Sequence, residues 1–262
     1  MANKKLHLLL PVALLVSLAI GVWWKQQPPA PLLTTTKAES RLPDTILWAW
    51  ERPERLTFLD TSKIGVAFLA KTLALQGTDV ASRPRLQTLQ LLPRTKVVAV
   101  VRIESDRAKA PTLSDTQLAQ VTREIFLTSQ LPDLLAIQID FDAKASEREF
   151  YRRLLFRLRE QLPKTIALSI TALASWCDGD NWLSGLPIDE AVPMLFRMGV
   201  DGRQFRTRLN SGEDPFTGPC KNAAGVSTDE PINLPQRRRL YIFSPEPWTT
   251  DSLASALETY SR

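Results

Sequence analysis

The stretch LLAIQIDFDA, residues 134–143, is apolar from Leu134 to Ile139 except at Gln138, and it closes on two acids, Asp140 and Asp142. A near-continuous aliphatic run is the mark of a strand buried on both faces, as in a parallel sheet covered by helices. Parallel α/β folds carry their sites at the carboxyl ends of such strands. Side chains alternate along an extended chain, so Gln138, Asp140 and Asp142 share one face. Facing into a closed barrel, they would climb from its interior to its mouth. Charges at that depth need partners. Arg102 and Arg197, near the ends of neighbouring runs, are the candidates.

Working outward, similar runs recur along the chain. TILWAW (45–50), KIGVAFLA (63–70) and KVVAVVRIE (96–104) precede the central stretch. TIALSITAL (165–173), EAVPMLFRM (190–198), the weaker NAAGVSTDE (222–230) and RRLYIFS (238–244) follow it. Eight strands with polar helical segments between them predict a (β/α)8 TIM-like barrel over residues 45–262. Roughly 220 residues is short for that fold, so helices must be missing and the barrel irregular. About ten residues separate the first two runs, too few for a full helix. Thr72 to Pro93 reads as a β-hairpin or an irregular excursion, and 200–236 mostly as loop. An open doubly wound sheet is the alternative, but it normally opens on a glycine-rich turn, and none is present.

Two helices carry start signals. Ser114 with Gln117, and Ser146 with Glu149, have capping-box spacing. Phe150, Leu154, Leu155, Leu158 and Leu162 form an apolar stripe at helical period. Leu253 and Leu257 stand one turn apart in a final helix.

The first 27 residues differ from the rest. Lys4 and Lys5 precede an apolar run from Leu8 to Trp24, near the minimum length of a membrane span. Trp23 and Trp24 stand where an interfacial aromatic belt lies, followed by Lys25. The expectation is a signal anchor with the domain outside, or a cleaved signal peptide, followed by a linker at 28–44. The barrel would then be periplasmic and tethered to the inner membrane. The anchor changes the charge reading. Lys4, Lys5 and Lys25 account for three of the 33 basic residues, leaving 30 against 28 acids, so the formal +5 is no sign of a nucleic-acid partner.

The single histidine of the chain is His7, so the barrel segment has none. That excludes Ser-His and Cys-His nucleophile arrangements and His-based metal sites there. Neither GxGxxG nor GxxxxGK[ST] occurs, and nothing in the spacings calls for a cofactor or a metal. Acid–base chemistry would fall to carboxylates, Lys or Tyr. Cys177 and Cys220 could pair in an oxidising compartment, though sequence alone leaves their approach open.

Acids gather at the expected carboxyl ends: Glu51, Glu104, Asp140, Asp142, Asp229, Glu230 and Glu246. So do the five tryptophans of the barrel, Trp48, Trp50, Trp176, Trp182 and Trp248. Flat apolar rings suit stacking on sugars, and acids suit hydroxyls. The expected ligand is therefore a glycan or polysaccharide, with Trp50, Gln138, Trp176, Arg197 and Trp248 as its contacts.

AIQIDFD resembles the strand-four motif of family 18 chitinase-type glycosidases, Asp-x-Asp-x-Glu. Gln138 falls at the first acid, Asp140 at the second, and Asp142 at the catalytic Glu, so two of three positions depart from the pattern. LWAWERPE, GVAFLA, QIDFDA, LSITALASWC, DEAVPMLFRMG and GVSTDEP are similar to a family of uncharacterised bacterial exported proteins with a glycosidase-like TIM barrel. That resemblance implies the fold and the compartment, and no activity.

Two functions follow. One is a glycoside hydrolase with Asp142 as general acid and Asp140, Glu104 or Glu246 as its carboxyl partner, about 5–5.5 Å away if retaining and about 6.5–9.5 Å if inverting. The other is a carbohydrate-binding or envelope-assembly protein on a barrel that no longer catalyses.

Overall fold

The computed structural model describes residue 38 and residues 41–260. The anchor or signal peptide expected at 1–27, with His7, and the linker at 28–44 up to its last residues lie outside them. The described chain forms strands β1 (Thr45–Ala49), β2 (Glu54–Arg55), β3 (Ile64–Gln76), β4 (Asp79–Pro84), β5 (Leu89–Gln90) and β6 (Val97–Ser105). Then come helix α1 (Asp115–Thr128), β7 (Leu134–Asp140), α2 (Arg148–Gln161), β8 (Ala167–Leu173), β9 (Glu190–Met194), α3 (Gly202–Asn210), β10 (Ala223–Ser227), β11 (Arg239–Phe243) and α4 (Thr250–Tyr260).

Eight strands run parallel in the order β1-β3-β6-β7-β8-β9-β10-β11, and β11 pairs back onto β1. This is a closed TIM-like barrel, with a strand in each of the eight runs. The crossovers are unequal. β1 reaches β3 through β2 alone. β3 overshoots the barrel and folds back on β4 as an antiparallel hairpin, the excursion expected near Thr72 to Pro93. β8 reaches β9 through two 3-10 turns, Ala174–Cys177 and Asn181–Leu183. Within 200–236, read mostly as loop, the chain forms α3 and β10. The ladder between β9 and β10 is thin, with one paired position, Gly225 with Met194.

Period-two alternation sorts the side chains. Ile137, Ile139, Leu168 and Ile170 face outward against Leu118, Ile125, Leu154 and Leu158 of the helices. Ile46, Trp48, Val98, Val100, Ala136, Ala167, Val192 and Tyr241 fill the interior, and Ala38 and Leu42 join them. Small residues on most strands make room for the Trp48 indole. A Cβ on Gly225 would stand 2.8 Å from that ring, so the close approach requires glycine.

The helix starts differ in detail from the expected boxes. Ser114 caps α1 by accepting from the Gln117 N–H, but the Gln117 carbonyl takes the Leu113 amide, while its amide group donates to Gly77 and Asp79 of the hairpin turn. At α2 the expected Ser146–Glu149 box is replaced. A 3-10 turn, Ala145–Glu147, precedes the helix, and Glu147 accepts from the Lys144 N–H. In the basic run at 237–239, Arg238 is buried against Asp214, and Arg239 against Glu190.

Candidate functional site

A cavity of about 440 Å³ opens at the carboxyl ends of the barrel strands. Asp140 and Asp142 line it from the end of β7, Trp48 and Trp50 from β1, and Thr171 and Leu173 from β8. Met194 ends β9, Phe196, Arg197 and Met198 follow it, and Phe243 ends β11. Much of the wall is therefore aromatic or thioether. Phe196 and Phe243 stack with ring centroids 5.4 Å apart and planes 4° from parallel.

The acids get their setting from strand register. Arg102 on β6 is the Cα partner of Asp140 on β7, which brings their side chains together. Arg102 Nε lies 3.9 Å from Asp140 Oδ2 and 3.0 Å from Glu104 Oε1. Thr171 on β8 donates its hydroxyl to Asp140 Oδ1 at 2.7 Å. Burial pushes the Asp140 carboxyl up to about 6, and the Asp142 and Glu104 charges act the same way; the Thr171 hydrogen bond and Arg102 oppose them. Asp142, two residues past the strand and more open, is also raised by desolvation, with Arg102 opposing. Each of the two carboxyls therefore keeps its proton to higher pH than a free carboxyl does.

Beneath the cavity a polar column runs down the barrel. Trp48 Nε1 donates to Gln138 Oε1 at 3.0 Å, and Gln138 Nε2 donates to Ser169 Oγ at 3.1 Å. Ser169 Oγ donates to Glu190 Oε1 at 3.1 Å, and Tyr241 donates to the same oxygen at 2.6 Å. Arg239 closes the column on Glu190 Oε2.

The residues singled out from sequence divide here. Asp140, Asp142, Trp50 and Arg197 come together in the cavity. Gln138 does not line it: it is fully buried below, with its amide oxygen and nitrogen both engaged. Trp176 does not line it either: it is buried edge-on against Trp182 with Arg148 beside both rings. Trp248 is buried too, donating from its indole to the Trp48 carbonyl at 3.2 Å and from its backbone to Glu54. Glu104 stands outside the main cavity, tied to Arg102 and Arg83. Glu246 is exposed away from the cavity, and its backbone carbonyl takes Arg52. Arg197 does not partner Asp140; it pairs with Asp229 at 3.2 Å. Cys177 and Cys220 form a disulfide with Cα atoms 5.8 Å apart.

Sequence reasoning passed over Thr171, Met194, Phe196 and Phe243. Their signal was parity. Phe243 shares the inward face with Tyr241 and Arg239, as Met194 and Phe196 share it with Glu190.

Among the described residues, no group of three or more His, Cys, Asp or Glu is placed to hold a metal ion. With no histidine in the barrel, the chemistry open to the cavity is proton transfer by carboxyl groups beside a flat apolar surface.

A family described as a domain of unknown function, DUF3142, matches residues 93–195, from just before β6 to just after β9. No curated protein matches the chain. Among solved structures it is similar to the spore cortex-lytic enzyme SleL of Bacillus cereus, at 15% identity and a TM-score of 0.40, over 59% of this chain and 42% of that one. It is also similar to the chitinase domain of the spore coat protein CotE from Clostridium difficile, at 15% identity and a TM-score of 0.38, over 81% of this chain and 68% of that one. The chain thus spans less than half the length of the SleL chain.

Proposed function

We propose that the barrel binds a carbohydrate chain across its carboxyl-end mouth and cleaves a glycosidic bond, with the Asp140–Asp142 pair supplying the proton. One observation carries the reading: a carboxyl pair with raised pKa and a wall of aromatic rings share one cavity. Leaving-group protonation needs a carboxyl that still holds its proton near neutral pH. Trp50 and the Phe196–Phe243 stack offer flat apolar faces to the carbon-hydrogen side of a sugar ring. Thr171 and Arg102 hold Asp140 from behind, leaving Asp142 nearer the solvent side for the substrate. The disulfide supports an oxidising compartment such as the periplasm, and so does the apolar N-terminal sequence.

A second reading is binding without cleavage. It is favoured by the position of the lining carboxylates: both stand at the end of β7, and among the described residues no acid from another strand lines the cavity. The deciding experiment is turnover by the purified full chain on bacterial envelope and exopolysaccharide oligosaccharides, beside Asp142→Asn and Asp140→Asn. Cleavage lost in both variants supports the hydrolase. Saturable binding without products, weakened by Trp50→Ala, moves the assignment to a binding protein.

A further inference from the structure

The carbohydrate reading gives Arg197 no role and Arg102 only its hold on Asp140, and the two guanidinium groups point to the class of sugar. We propose that the ligand is an acidic glycan, and that Arg197, with Arg102 as a second cation, receives a carboxylate borne on a sugar ring, as in a uronic acid. The inference rests on the carbohydrate reading and narrows it.

Both cations are only partly matched by the protein. Arg197 donates from one terminal nitrogen to Asp229 at 3.2 Å, and among the described residues no acceptor meets its Nε or its other terminal nitrogen. Arg102 turns its Nε to Glu104 and Asp140, and among the described residues its two terminal nitrogens meet no acceptor. Each guanidinium lies over aromatic faces. Arg102 is 5.9 Å from the Trp50 ring centre, and Arg197 is 5.2 Å from that of Phe243 and 5.8 Å from that of Phe196. Such stacking holds a guanidinium in place while leaving its edge free to donate.

The backbone under Arg197 is also unusual. Its φ of 51° lies in the left-handed region, where a long side chain is uncommon. The conformation is held because the Arg197 N–H donates to Glu230, which Arg206 fixes in turn at 2.7 Å. Non-glycine residues in that region persist where their surroundings over-determine them, and they gather at ligand sites.

The chemistry favours an anion over a hydroxyl. A guanidinium edge presents two parallel donors that match the two oxygens of a carboxylate, whereas a hydroxyl accepts without that match. The placement also keeps charges apart. Arg197 follows β9, while the acid pair ends β7, so a sugar carboxylate held at Arg197 is kept off Asp140 and Asp142.

The test is calorimetric binding by the full chain to uronate-containing oligosaccharides, each beside its carboxyl-reduced neutral counterpart. The acidic member is expected to bind roughly tenfold or more tighter, with the margin shrinking as salt rises. Arg197→Gln should collapse the margin to roughly twofold, and Arg197→Lys, which keeps charge but loses the fork, should retain part of it. Unchanged thermal melting of each variant shows that the loss is not unfolding. Equal affinity of wild type for both members, with Trp50→Ala weakening both, would overturn the anion assignment and leave the carbohydrate reading standing. A margin that survives Arg197→Gln also overturns it. Binding of neither member to wild type removes the carbohydrate reading, and this inference with it.

Discussion

Trp48 on β1 and Gln138 on β7 meet inside the barrel through a 3.0 Å hydrogen bond from indole nitrogen to amide oxygen. This contact joins the floor of the cavity to the polar column that descends through Ser169 to Glu190. It also explains why a polar residue interrupts the apolar run of β7. A buried indole N–H needs an acceptor, and Gln138 provides one without introducing a charge. Gln138→Leu keeps the volume but strands that donor. The expected cost is about 1–3 kcal/mol in denaturant unfolding. A midpoint equal to wild type would mean that Trp48 finds another partner and that the column does not hold the ring.

Asp140 sets a second expectation. Its carboxyl is raised from 3.8 to about 6, chiefly by burial. A raised acid favours the folded state only while it is protonated. Its contribution is complete below about pH 4 and is lost as pH rises through about 6. Asp140→Asn should therefore stabilise the protein at pH 8 by roughly 2 kcal/mol and leave it nearly unchanged at pH 4. Thermal melting at the two pH values reads this directly. Turnover, where it occurs, should fall as pH rises above about 6, because the pair then loses its proton.

The barrel was legible because seven of its eight strands are strongly apolar runs, NAAGVSTDE being the weaker one. Ile137 and Ile139 alternate with Ala136 and Gln138, and the same parity recurs in each of the eight runs. The site was only half legible. Asp140, Asp142, Trp50 and Arg197 stand at strand ends and face the mouth, as their positions suggest. Trp176 and Trp248 also follow strand ends, but local sequence does not say whether an indole turns outward to the mouth or back under a loop. The Trp182 ring captures the first and the Trp48 carbonyl the second, and both are tertiary neighbours. Phe196, Phe243 and Met194 were hidden for the opposite reason. They look like core in an apolar run, and only closure of the barrel turns them into a cavity wall.

The Cys177–Cys220 disulfide ties the turn after β8 to the approach of β10, across a separation of 43 residues. The enclosed chain carries Met198 and Phe205, two residues of the cavity wall. Cross-links across loops of this length contribute roughly 3–4 kcal/mol. Replacing both cysteines with alanine should lower the melting temperature and, under limited proteolysis, open cleavage between β9 and β10 before any cut in the barrel strands. Cleavage that begins elsewhere would show that the tether does not govern this wall.

Arg238 and Asp214 form the most deeply buried ion pair for which both side chains are described, at 2.6 Å, with the Arg238 side chain fully covered and the Asp214 side chain 10% exposed. The guanidinium also lies 5.5 Å from the centre of the Phe216 ring, and among the described residues two of its nitrogens have no acceptor. Desolvating both charges offsets much of their attraction, so the pair as a whole adds little to stability. Removing one member is different, because it leaves the other charged and buried. Arg238→Met alone should cost about 3–5 kcal/mol. Arg238→Met with Asp214→Leu should recover most of that loss, since two apolar side chains of similar size then pack against Phe216. A double-mutant cycle in urea measures the coupling. If the double variant is no more stable than Arg238→Met alone, the pair contributes more than its desolvation removes. The buried arginine would then be a main support of the loop that the disulfide closes.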